Sequence, residues 1–123
     1  MCGLTGIFSL DNEINVQNYY SAHRLIKHRG PDDEGFISIA NGEINYLKGD
    51  DTIDEFQNLS HIQETNKARL ILGHRRLSII DLTKLGHQPF QFDSLFMVYN
   101  GEIYNYIEIR DELKTLGYYF ETN

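Results

Sequence analysis

The chain has no tryptophan, two prolines and a single cysteine among its 123 residues. One thiol cannot close an internal disulfide or build a multi-cysteine zinc site, so the disulfide-scaffold and zinc-finger classes are excluded. Two prolines and ten glycines are too few for a collagen-like or low-complexity chain. Positive charge is also scarce. Eleven lysines and arginines against eighteen aspartates and glutamates leave a net charge of −7, which disfavours a nucleic-acid partner because phosphate neutralisation needs clustered cations. The longest apolar stretches, such as Leu95 to Tyr99, fall far short of the roughly 20 residues that cross a bilayer. The N-terminus has no basic segment leading into an apolar core. No membrane partner is expected, and the expected location is the cytoplasm.

What is present is the composition of a globular domain: 41% hydrophobic, 12% aromatic and 24% charged residues. The length suits one domain, or part of one. Cys2 to Leu10 reads as a short buried strand, followed by a helix over Asn15 to Lys27 with Asn15 as its cap. His28 to Gly35 is a polar turn around Pro31. Strands Gly35 to Ala40 and Glu43 to Leu47 flank Asn41-Gly42, a strong hairpin signal. Asp50 to Lys67 is polar and without period, and is expected to be a surface excursion. Arg69 to His74, Leu77 to Ile80 and Leu95 to Tyr99 are β-compatible, with a loop carrying Gly86 and Pro89 between the last two. A second helix is marked by a capping box at Asn105 and Glu108, by an apolar stripe of Ile109, Leu113 and Leu116, and by a terminating Gly117. Tyr118 to Glu121 resembles another strand entry. The pattern predicts an α+β fold rather than an alternating parallel sheet, with residues 1–123 forming a domain incomplete at its C-terminal end.

Cys2 is the sharpest chemical clue. Removal of Met1 would place a thiol and a free α-amine on one residue, with reference pKa values of about 8.5 and 8 that allow proton exchange near neutrality. A Cys-His dyad using His28 or His74 is the rival arrangement. Arg29 and the pair Arg75-Arg76 could meet a carboxylate with a planar guanidinium fork. Asn100-Gly101 ends an apolar strand and leads into a helix, where a side-chain amide and a backbone N–H could stabilise an oxyanion. The sequence has no phosphate-cradling loop, dinucleotide fingerprint or metal-ligand spacing, so no cofactor is predicted for this segment.

Five ordered motifs run through the chain: Met1-Cys2-Gly3-Leu4-Thr5-Gly6-Ile7-Phe8, His28-Arg29-Gly30-Pro31-Asp32, Gly73-His74-Arg75-Arg76-Leu77-Ser78-Ile79-Ile80-Asp81, Gln88-Pro89 and Tyr99-Asn100-Gly101-Glu102-Ile103-Tyr104-Asn105. Together they resemble the N-terminal glutaminase domain of the glutamine-hydrolysing asparagine synthetases, a class II glutamine amidotransferase. The resemblance implies an N-terminal-nucleophile (Ntn) hydrolase fold, an αββα sandwich of two antiparallel sheets. It implies Cys2 as nucleophile on L-glutamine, with Asn100 and the Gly101 N–H as oxyanion hole. Arg76 would clamp the substrate carboxylate, the backbone of Leu77, Ile79 and Ile80 would line the pocket, Glu102 would help hold the amino group, and Arg29 would support the site. The implied partners are a C-terminal synthetase domain, where ATP and magnesium would bind, and a second copy in a homodimer. Two alternatives remain open: a non-catalytic fragment, and an amidotransferase serving another acceptor, as in the β-lactam synthetase relatives.

Overall fold

The computed structural model describes residues 1–79 and 83–120. In chain order its elements are β1 (Gly3–Phe8), α1 (Val16–Leu25), β2 (Asp33–Ala40), β3 (Glu43–Lys48), β4 (Ser60–His61), β5 (Leu70–Arg76), β6 (Phe90–Phe92), β7 (Leu95–Met97) and α2 (Tyr106–Thr115). Five strands form one sheet in the order β1-β5-β2-β3-β4, and β6 pairs with β7 in a second. All pairings are antiparallel except the two-residue contact between β3 and β4.

Strand alternation gives the sheet two chemically different faces. In β5, Ile71, Gly73 and Arg75 share one face while Leu72, His74 and Arg76 share the other, and the register places Phe36 opposite Gly73 and Glu34 opposite Arg75. α1 covers the first face. Asn15 caps it, accepting from the Asn18 N–H at 2.9 Å, and its buried Tyr19 and Tyr20 join Ile14, Val16, Phe36, Leu47, Ile62, Ala68 and Ile71 in one core cluster. Gly73 makes this fit possible, since a Cβ there would lie 2.5 Å from the Tyr19 hydroxyl. Towards the second face, the β6–β7 hairpin reaches Tyr46, whose ring stands 6.2 Å from that of Phe96 and whose hydroxyl donates to Gln91 Oε1. The β2–β3 turn has Asn41 at φ 52° and Gly42 at φ 83°, the left-handed pair that an Asn-Gly hairpin requires. Among the described residues no helix is long and apolar enough to cross a membrane.

Several expectations need correction. Among the described residues β1 is an edge strand rather than a buried one: it pairs there only with β5, and Leu4, Ile7 and Phe8 are exposed. The 50–67 excursion is not confined to the surface. Ile62 is fully buried in the core, Ser60–His61 extend the sheet, and Asp51 forms an ion pair with Arg75. Leu77 to Ile79 is not a strand, because β5 ends at Arg76, and Ile80 lies outside the described residues. A further strand, β6, occupies the loop after Pro89 and turns at Asp93, whose φ of 52° lets a tight turn close without glycine. α2 forms, yet Asn105 makes no side-chain cap, its backbone (φ −97°, ψ 31°) lacking the extended geometry that aims a capping side chain. Its C-terminus does follow the expected pattern, with Gly117 at φ 90°, the Tyr118 N–H donating to Leu113 O at 3.1 Å and the Gly117 N–H to Lys114 O at 3.0 Å. The apolar stripe is not a core face, since Ile109 and Leu116 are exposed. Tyr118 to Phe120 are not in a strand, and Glu121 lies outside the described residues.

Candidate active site

The start of β1 and the end of β5 lie side by side, with Gly3 opposite Arg75. Cys2, one residue earlier, therefore meets the chain just beyond β5. The Leu77 N–H donates to its Sγ at 3.3 Å, and the thiol reaches back to the Leu77 carbonyl at 3.7 Å. A Cβ at Gly3 would stand 2.8 Å from Ile26 Cδ1, so the residue that ends α1 packs closely on the start of β1.

Sγ opens into a cleft of about 500 Å³ walled by Met1, Cys2, His74, Arg76, Leu77, Ser78, Ile79, Gly86, Gln88 and the Tyr99–Glu102 segment with Tyr104. The structure thus brings Cys2, Arg76, Leu77, Ile79, Asn100, Gly101 and Glu102 together, although Cys2 and Glu102 are a hundred residues apart in the chain. Arg76 is held at the wall. Its Nη1 donates to the Thr83 carbonyl at 2.8 Å, and the guanidinium lies against Gly86, where a Cβ would approach Nη2 to 2.2 Å.

Neither Arg29 nor His28 lines the cleft. Arg29 is exposed, its Cβ beside Gly3, and His28 bonds the Leu25 carbonyl at 3.1 Å. The His28–Asp32 motif braces the site through other residues. Asp32 accepts from the Ser78 N–H at 2.8 Å, and the Gly30 carbonyl accepts from Arg75 Nε at 3.0 Å.

His74 does line the cleft, 1% exposed, and its Nε2 has no hydrogen-bond partner among the described residues. Burial holds its pKa down at about 4, against the opposing pull of a hydrogen bond to the Tyr99 backbone and the charge of Asp33. It is neutral at physiological pH. Sequence reasoning had no role for Gln88, although its amide bonds the Tyr99 backbone and its motif was visible.

Beneath the site, on the α1 face, lies a buried charge network. Arg75 Nη1 sits 2.6 Å from Glu34 Oε2, both side chains wholly buried, and 2.9 Å from Asp51 Oδ2. Glu34 Oε1 accepts from the Tyr20 hydroxyl at 3.1 Å and the Asp51 N–H at 2.9 Å. His23 Nε2 stands 3.5 Å from Glu34 Oε2, while its Nδ1 meets the Thr5 hydroxyl at 2.7 Å. Burial alone would raise the Glu34 carboxyl, but the hydrogen bonds from His23 and Asp51 and the charge of Arg75 outweigh it and bring the pKa to about 2. This network fixes the strand whose next two residues carry the guanidinium and the N–H facing the thiol.

Residues 59–123 match the profile of the glutamine amidotransferase domain family. The chain belongs to that family. It is 33% identical to the glutamine-hydrolysing asparagine synthetase 1 of Bacillus subtilis (strain 168), over 100% of the chain and 16% of the relative. It is 29% identical to the isomerising glutamine–fructose-6-phosphate aminotransferase of Sulfolobus acidocaldarius, over 100% of the chain and 21% of the relative. It is 30% identical to the amidophosphoribosyltransferase of Methanothermobacter thermautotrophicus, over 97% of the chain and 26% of the relative. The amidotransferase chain thus spans a fifth or less of the first curated relatives it matches. No solved structure matches it significantly.

Proposed function

We propose that this chain hydrolyses the side-chain amide of L-glutamine to glutamate and ammonia, with Cys2 as nucleophile. The observation that carries the reading is the Cys2 thiol, faced by the Leu77 N–H at 3.3 Å, in one cleft with a guanidinium, an Asn-Gly pair and Glu102. With Met1 removed, the α-amine of Cys2 takes the thiol proton as Sγ attacks the amide carbon. The developing oxyanion is met by the Asn100 side chain and the Gly101 N–H. The C–N bond then breaks, the proton passes to the leaving nitrogen, and ammonia departs from a thioester. Water adds to that carbonyl, the C–S bond breaks, and glutamate leaves with the thiol restored. Arg76 clamps the α-carboxylate in a two-pronged pair, Glu102 attracts the α-ammonium, and Leu77 and Ile79 line the pocket. Arg29 acts indirectly, through the turn beneath β1.

His74 is a poor general base despite lining the cleft. A base works best with a pKa near the operating pH, and burial keeps this imidazole at about 4. The α-amine is better matched.

Ammonia, in this reading, passes to a synthetase domain that uses ATP and magnesium to make asparagine from aspartate. The support is the 33% identity to an asparagine synthetase together with the Pro31-Asp32 and Arg76–Asp81 stretches. Two stacked sheets between helix layers, the Ntn arrangement, are the fold this reading requires, and α1, the five-stranded sheet and the β6–β7 hairpin are consistent with three of those layers. Glutamate release from glutamine tests the proposal. It should depend wholly on Cys2 and vanish in Cys2→Ala; activity retained by that variant refutes the nucleophile.

A further inference from the structure

We infer that Gln88 is a positioning residue for the oxyanion hole: its side-chain amide grips the Tyr99 backbone and thereby sets Asn100 and Gly101. The inference rests on the glutaminase reading above.

The segment that follows β7 needs such a grip, because residues 98–103 belong to no helix or strand and have no ladder to hold them. Gln88 supplies a substitute. The Tyr99 N–H donates to Gln88 Oε1 at 2.7 Å, and Gln88 Nε2 donates to the Tyr99 carbonyl at 3.4 Å. Since a backbone N–H only donates and a carbonyl only accepts, the amide can serve both in one orientation alone. A side-chain amide carries the same donor and acceptor as a peptide group, so the pair reproduces one step of strand pairing.

The grip is anchored at one end and transmitted at the other. A Cβ at Gly35 of β2 would lie 2.3 Å from the Gln88 carbonyl oxygen, so the chain at Gln88 rests directly on the sheet. The preceding His87 bonds Asp33 Oδ2 through Nδ1 at 2.7 Å and stacks on Phe56 with centroids 4.1 Å apart. On the far side, the Tyr99 ring folds over Gly101, where a Cβ would meet the phenol oxygen at 2.5 Å and Cζ at 2.7 Å. The chain of contact runs from β2 through His87 and Gln88 to Tyr99 and on to the two oxyanion donors. Donors stabilise a transition state only when held in place beforehand, and a displacement of about 1 Å can cost about 100-fold in rate.

Two variants test this. Gln88→Leu, similar in size but without either hydrogen bond, should lower kcat for glutamine hydrolysis by about 10- to 100-fold while leaving KM nearly unchanged. In Gln88→Glu the ionised carboxylate accepts from the Tyr99 N–H but turns a lone pair on the Tyr99 carbonyl. Its protonated form donates again, so the variant-to-wild-type ratio of kcat should rise as pH falls through the carboxyl's titration. Loss of folding alone would not produce that recovery. Exchange of the Tyr99 amide, slow in the wild type and faster in Gln88→Leu, reads the grip without any activity. A wild-type kcat in Gln88→Leu, a pH-independent ratio for Gln88→Glu, or unchanged Tyr99 exchange would each overturn the inference. A wild-type protein that hydrolyses no glutamine would instead overturn the glutaminase reading on which it stands.

Discussion

Replacing Arg75 by methionine should destabilise the domain more than any surface change. Its Nη1 stands 2.6 Å from Glu34 with both side chains wholly buried, and it also binds Asp51 at 2.9 Å and the Gly30 carbonyl at 3.0 Å. The Glu34 carboxyl titrates at about 2 rather than 4.5, which at 1.36 kcal/mol per pH unit amounts to about 3 kcal/mol in favour of the charged form. Without Arg75 that carboxylate is left buried against His23, Tyr20 and the Asp51 N–H, or must take a proton. Breaking one side of a buried pair costs about 3–5 kcal/mol, a large part of the roughly 5–15 kcal/mol that holds a domain folded. The double variant Arg75→Met with Glu34→Gln should recover at least about 1–2 kcal/mol, because the Gln oxygen can still accept from Tyr20 and Asp51 and no charge is stranded. Urea unfolding followed by circular dichroism at pH 7 measures both. The sign with pH is fixed: a depressed carboxyl contributes above 4.5 and its contribution is lost as pH falls towards about 2. The gap between wild type and single variant should therefore close only in that acid range. A loss below about 1 kcal/mol for Arg75→Met at pH 7, or equal losses for single and double variants, would refute the reasoning.

Gly101→Ala should reduce kcat for glutamine at least about 10-fold with little change in Tm, since the new Cβ strikes the Tyr99 ring at an exposed position; wild-type kinetics would contradict this. Arg76→Lys keeps the charge but loses the fork and the bond to Thr83, so KM for glutamine should rise about 10-fold or more while kcat falls less, as initial-rate kinetics will show. His74 is held at about 4 in the fold against 6.5 for the free side chain, so the unfolded chain binds its proton first and stability should fall, by on the order of 3 kcal/mol, as pH drops from 6.5 to 4. His74→Gln should flatten that slope, and an unaltered slope in chemical denaturation would assign it to other groups.

Much of the fold was legible where local rules decide. Asn41-Gly42 dictates its hairpin through two left-handed residues, Asn15 caps α1, and Gly117 ends α2 in the expected manner. The 50–67 segment reads as surface because its periodicity is weak, whereas what ties it to the core is tertiary: the buried Ile62 and Thr52 and the Asp51 carboxylate. β6 escaped because three residues after a proline are too few for a pattern. Of the residues named by motif, Cys2, Arg76, Leu77, Ile79, Asn100, Gly101 and Glu102 line one cleft and Arg29 does not, yet sequence could not show that β1–β5 pairing sets Cys2 against the Leu77 backbone. Ile80 lies outside the described residues. Gln88 was in view but without a function, since its meaning is a contact eleven residues away with the backbone of Tyr99.

The central claim, that Cys2 is the nucleophile of a glutamine site, is tested most directly by intact mass measurement after exposure to diazo-oxo-norleucine, an electrophilic glutamine mimic. The account predicts loss of Met1 and a single adduct on the wild-type protein, competed by glutamine and absent from Cys2→Ala. A wild-type protein that lacks Met1 and gains no adduct, or a Cys2→Ala variant that is labelled equally, would contradict it.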